Sequence, residues 1–133
     1  MTNSSKNILI IGTGYMAQTY FKHLHSLGHN CLLSYRDINS LNTKKAIDLF
    51  GKSSLVSTLS SYEKTFDIVL SCTNTMSHLS SLKPFCRLNN CLLLSEKPIS
   101  YSIDDLTNFT YKDIYLLMNR RYYTWVEFVR DKA

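Results

Sequence analysis

The chain has 133 residues, room for one domain around one hydrophobic core. Its composition, 44% hydrophobic and 19% charged, is that of a folded globular protein and excludes a disordered one. The net charge of +5 comes from scattered basic residues, densest at Lys44-Lys45 and Arg120-Arg121. That scatter is not a nucleic-acid-binding stripe, and it reads as solvated surface with a preference for small anions.

The first predicted strand is Ile8 to Ile11, four aliphatic residues without a polar interruption. Such a run suits a strand buried on both faces of a parallel sheet. It leads into Gly12-Thr13-Gly14-Tyr15-Met16-Ala17, the G-x-G-x-x-A form of the dinucleotide-binding turn. Gly12 permits the tight turn, Gly14 lets a pyrophosphate approach the backbone, and Ala17 lets the next helix pack close to the sheet. That helix is expected to bury Ala17, Tyr20, Leu24 and Leu27, and to stop at Gly28 in the left-handed conformation. Its open N–H groups and positive dipole end make an anion site. The alternative is a purely structural turn. The flanking strand and helix, and the use of two of only four glycines, favour a nucleotide.

A second strand is expected from Asn30 to Tyr35, followed by Arg36 and Asp37. In NAD-binding units an acidic residue at the end of this strand accepts hydrogen bonds from the ribose hydroxyls. Here that position is Tyr35, and a guanidinium at Arg36 suits a 2′-phosphate. The expected cofactor is therefore NADP, with NAD as the alternative if Asp37 takes the ribose. Asn39 to Phe50 reads as a second helix stopped by Gly51, Leu55 to Leu59 as a third strand, and Phe66 to Cys72 as a fourth. Thr73-Asn74-Thr75 has helix-capping chemistry, and a helix from Met76 to Arg87 would bury Met76, Leu79, Leu82, Phe85 and Cys86. His78 falls in its first turn. A fifth strand, Cys91 to Ser95, runs into Glu96-Lys97-Pro98. Ser102 to Asp105 resembles a capping box, Ile114 to Met118 a sixth strand, and Thr124 caps a last helix.

This alternation predicts an α/β fold, a doubly wound parallel sheet of the Rossmann kind. Ligands of such sheets lie beyond the C-terminal strand ends. Gly12–Met16, Tyr35–Arg36, Thr73–Asn74, Glu96–Lys97 and Asn119–Arg120 should then meet on one rim. The four cysteines lack zinc spacing, and His23 and His25 face different ways on a helix, so neither a metal nor a disulfide is expected. With no apolar run of about 18 residues and no hydrophobic leader after Met1, the expected place is the cytoplasm, away from membranes.

Four motifs together resemble a known family: Gly12-Thr-Gly-Tyr-Met-Ala17, Cys72-Thr-Asn-Thr-Met-Ser-His78, Glu96-Lys97-Pro98 and Asn119-Arg120-Arg121-Tyr122. Their order and spacing are similar to the Gfo/Idh/MocA oxidoreductases, the glucose–fructose oxidoreductase and inositol dehydrogenase family. The resemblance implies hydride transfer between a nicotinamide cofactor and a sugar, cyclitol or sugar-nucleotide hydroxyl. It implies that Gly12, Thr13, Gly14, Tyr15 and Met16 cradle the pyrophosphate, and that Tyr35 replaces a ribose-binding aspartate. Thr73, Asn74 and His78 would border the nicotinamide ribose, although the family often has proline at the position of Asn74. Glu96 and Lys97 would lie beside the nicotinamide, with the Lys97 ammonium polarising the reacting carbonyl. The alternative for Lys97 is a loop lysine before a trans proline.

Family members continue into an α+β domain that carries the substrate pocket and an acid–base pair. This chain ends at Ala133, so that domain is expected to be absent. The implied readings are an oxidoreductase half completed by a second domain or chain, a dinucleotide-binding module without chemistry, or a decayed product with no ligand. The rim left open would be available to an oligomer or a partner.

Overall fold

Ile8 to Ile11 form the centre of the protein, each at most 5% exposed. In the computed structural model, which describes residues 4–88, 90–107 and 114–117, they belong to strand β1 (Asn7–Ile11). The other strands are β2 (Asn30–Tyr35), β3 (Leu55–Ser57), β4 (Ile68–Ser71), β5 (Leu92–Ser95) and β6 (Ile114–Leu116). All pair in parallel in the order β3-β2-β1-β4-β5-β6, a six-stranded sheet of the Rossmann type. Strand order reverses between β1 and β4, so later crossovers cover the opposite face from earlier ones.

The helices are α1 (Tyr15–Ser26), α2 (Leu41–Phe50), α3 (Thr58–Ser61), α4 (His78–Leu82) and α5 (Ile103–Thr107). Alternation along β1 sends Ile8 and Ile10 to one face, with Ala17 and Phe21 of α1 and Ala46 of α2. Leu9 and Ile11 go to the other, with Leu82 of α4 and Phe85. Burying each such aliphatic side chain contributes about 1.5–3 kcal/mol before chain entropy is charged. The sheet thus separates two cores, as a doubly wound fold requires. Asp67 ties the N-terminal strand ends together: its carboxylate accepts from Asn7 N at 2.7 Å, and its carbonyl accepts from Leu92 N at 2.8 Å. No helix among the described residues is long and apolar enough to cross a membrane.

The strand expectations hold within a few residues, but five local details differ. Leu27 is 70% exposed, because it is the C-cap of α1, beyond the last helical turn; Phe21 fills the buried face instead. The helix ends with His29 N donating to Leu24 O and Gly28 N to His25 O, a Schellman closure that places Gly28 at φ 85°. The third strand stops at Ser57, whose hydroxyl caps α3, leaving Leu59 78% exposed. The helix expected from Met76 to Arg87 is broken into a 3₁₀ turn at Thr75–Ser77, then α4, then a second 3₁₀ turn at Lys83–Phe85. Pro84 has no N–H to continue the α ladder, and the three-per-turn phase of the opening turn swings Met76 out to 78% exposure. Asn74 precedes that turn without a side-chain cap. The Lys97–Pro98 peptide is cis, not trans. The expected residues Asn119 to Tyr122 and the helix capped by Thr124 lie outside the described residues.

Gly12 locks β1 against β4. Its φ is +120°, and a Cβ there would lie 2.8 Å from the carbonyl oxygen of Cys72. Backbone stands on that side, so no rotamer relieves the contact. Gly12→Ala is expected to destabilise the fold by about 2–4 kcal/mol, from backbone strain plus the clash, as read by urea denaturation. Gly14→Ala, where nothing lies within 4 Å of the added carbon, should unfold within about 1 kcal/mol of the parent.

Candidate functional site

Register brings the predicted site residues to one rim. Ile11 pairs with Ser34 and Ser71, and Ser71 pairs with Ser95, so the segments after β1, β2, β4 and β5 all leave the sheet at the same end. Of the five expected contributors to this rim, four are there; Asn119 and Arg120 lie outside the described residues. A cleft of about 520 Å³ opens over the ends of β2, β1 and β4, at the point where strand order reverses.

The glycine turn forms one wall of the cleft. Gly12, Thr13 and Gly14 line it. Gly14 is the N-cap of α1 and supplies no side chain, and the first turn of the helix contains no acid. The N–H groups of Tyr15, Met16 and Ala17 therefore have no intrahelical acceptor and no side-chain cap. The turn is braced from behind: the Gln18 side-chain amide donates to Thr13 O at 2.7 Å, and Thr13 Oγ1 lies 3.2 Å from Thr43 Oγ1. With open space where a Gly14 Cβ would stand, this wall can accept a diphosphate on backbone amides. Tyr15, 80% exposed, and the half-buried Met16 offer amides rather than side chains; neither side chain lines the cleft.

Tyr35, Arg36 and Asp37 line the far end. Asp37 is already engaged: its Oδ1 accepts from Asn39 N at 2.8 Å, and its carbonyl accepts from Ser40 N. The exposed Arg36 guanidinium has no hydrogen-bond partner among the described residues. Ser40 caps α2, taking the Thr43 N–H at 3.2 Å, so a second helix start faces the same end of the cleft. Thr73 and Asn74 line the near end with Ser77, Ser80 and Ser81.

His78, Glu96 and Lys97 stand off this cleft. His78 is 2% exposed, with Nδ1 at 3.1 Å from Ser71 Oγ and 3.3 Å from Thr73 Oγ1, so it supports the near end from below. Burial lowers its pKa, against an opposing pull from the Glu96 carboxylate. Glu96 is half-buried at the end of β5, and the Tyr20 hydroxyl of α1 donates to its Oε1. Burial, with that hydrogen bond adding, raises the Tyr20 pKa and keeps the phenol neutral. Cys72, on the cleft floor, has its thiol pushed up to about 12 by burial and by the Glu96 charge, which leaves it unreactive. Lys97 is exposed on the same rim, one residue beyond Glu96.

Sequence reading missed the wall opposite the glycine turn. Ser40, Asn42 and Thr43 of α2, Thr58 of α3, and Tyr62 just beyond it all line the cleft. Ser40, followed three residues later by Thr43 and a helical run, carried a capping signal that could have placed α2 at the rim. Tyr62 and Thr58 gave no local signal.

No family model matches the chain, and no curated protein matches it in sequence. Solved structures do match in fold. Myo-inositol dehydrogenase from Lactobacillus casei, in complex with NAD(H) and myo-inositol, aligns with a TM-score of 0.76 at 16% identity, over 96% of this chain and 41% of that one. The WlbA dehydrogenase from Chromobacterium violaceum, with NADH and UDP-GlcNAcA, gives 0.73 at 18%, over 98% and 40%. Prephenate dehydrogenase from A. aeolicus, with hydroxyphenyl propionate and NAD+, gives 0.62 at 21%, over 86% and 41%. This chain thus spans about two fifths of the length of these enzymes, and at such identities the likeness is one of fold.

The buried His78 has a checkable consequence. Its native pKa lies below the ordinary 6.5, so the unfolded chain takes up a proton first as pH falls. Its contribution is complete above that value and is lost below it, at a slope of at most about 1.4 kcal/mol per pH unit. Thermal melts between pH 7.5 and 5.5 should therefore show falling stability, and a shallower fall in His78→Asn.

Proposed function

We propose that this chain is the dinucleotide-binding domain of a nicotinamide-dependent oxidoreductase. The observation that carries the reading is the uncapped start of α1 behind Gly14, open to a diphosphate at the strand-order reversal. The adenosine half of the dinucleotide extends toward Tyr35 and Arg36, and the nicotinamide half toward Thr73, Asn74 and the end of β5. This division follows the two-halved use of such sheets.

NADP is the proposed cofactor. A 2′-phosphate at the end of β2 meets the Arg36 guanidinium and the capped start of α2, while Asp37 already spends one carboxylate oxygen within its own turn. At the other end, Thr73 and Asn74 bind the second ribose, and His78 holds Thr73 and Ser71 in position from beneath. When bound, the nicotinamide supplies or accepts the hydride. Lys97 is the proposed catalytic group, its ammonium polarising a carbonyl or steadying an alkoxide at the rim. We further propose, on the sequence resemblance, that the substrate is a sugar, cyclitol or sugar nucleotide. A second domain or partner chain seated on the rim would complete the pocket.

Calorimetric titration with NADPH and NADH tests the reading. Saturable binding of NADPH, tighter than NADH, is expected, and absence of binding by both would overturn it. Gly14→Ala should remain folded and lose at least about tenfold in affinity for either cofactor, because a methyl group enters the diphosphate cradle. Arg36→Ala should weaken NADPH by about 10- to 100-fold, the worth of one charge-assisted hydrogen bond, and leave NADH nearly unchanged.

A further inference from the structure

Among the described residues, Glu96 is a rim acid held from two neighbouring elements, β4 and α1. Its backbone N–H donates to Ser71 O at 3.0 Å, which locks it to the end of β4. Its Oε1 receives the Tyr20 hydroxyl from α1, the helix that begins at the glycine turn. Its charge raises the pKa of Cys72, a residue lining the cleft, and opposes the burial that lowers that of His78. The carboxylate is half-buried, so water screens it less than a surface charge. Lys97, which follows it, is exposed and better screened.

A dinucleotide laid across the strand-order reversal, with its adenosine half at β2, puts its other ring over the ends of β4 and β5. The oxidised nicotinamide ring carries a positive charge that the reduced ring lacks. We propose that the Glu96 carboxylate, held in place by the Tyr20 hydroxyl, makes this site favour the oxidised over the reduced form of its dinucleotide. This rests on the dinucleotide reading above. Tyr20 acts as a positioning residue. Without its hydroxyl the carboxylate loses that hydrogen bond and turns toward water, away from the floor of the cleft.

Calorimetric titration of the full chain with NADP+ and NADPH, and with NAD+ and NADH, gives the ratio of dissociation constants for each pair. Glu96→Gln keeps an oxygen for Tyr20 to donate to, so the fold is retained while the charge is removed. It should shift the ratio toward the reduced form by about three- to tenfold, as expected for one partly screened charge near another. Tyr20→Phe should shift it the same way by less, and Glu96→Asp should restore most of the parental ratio. A purely structural role would weaken both forms equally. An unchanged ratio in Glu96→Gln with both forms still bound overturns this inference alone, and a Tyr20→Phe shift in the opposite direction overturns the positioning role. Failure of the parent chain to bind any of the four overturns the dinucleotide reading together with it.

Discussion

The contact between Gly12 and the Cys72 carbonyl sets the geometry of the whole rim. At the reversal of strand order the two central strands diverge toward helices on opposite faces, and their first loop residues must pass within van der Waals contact. With no Cβ at Gly12, the chain turns there and delivers the start of α1 beside the end of β4. Moving these two loops apart would separate the amides of Tyr15 to Ala17 from Thr73 and Asn74. The cleft exists because one backbone can touch another.

Around that contact the protein supports the cleft and its rim from behind. Gln18 and Thr43 hold the glycine turn, His78 and Ser71 hold Thr73, and Tyr20 holds Glu96. None of these supporting links relies on a solvated ion pair, which would contribute little. They are hydrogen bonds in partly or fully buried surroundings, where leaving a partner unsatisfied costs more than making the bond gains. The side chains that line the cleft can therefore be varied more readily than the residues behind them.

Much of this was legible in the sequence. Unbroken aliphatic runs located the strands, and the glycine spacing located the first turn, because both follow from local chemistry. The parallel order then placed Tyr35, Thr73 and Glu96 on one rim without further information. What escaped depended on phase or distance. Leu27 and Met76 looked like core residues on a continuous helical period, yet one lies on a cap and the other in a 3₁₀ turn. Pro84 was the visible cause of the interrupted helix. The Tyr20–Glu96 pair, 76 residues apart, and the Thr58 and Tyr62 wall are products of tertiary closure, which no local pattern encodes.

Hydroxyls of the cleft bond to neighbouring hydroxyls: Ser81 with the buried Ser71 behind it, Ser34 with Thr58, and Ser40 with Thr43. Each pair can run in either sense, since either oxygen serves as donor. An arriving oxygen that needs a proton and one that offers a proton can then both be met by rotation about a single bond. These hydroxyls have no fixed polarity of their own. They take their polarity from whatever enters, while the rigid amides of the glycine turn and the charges of Arg36 and Asp37 impose a sign.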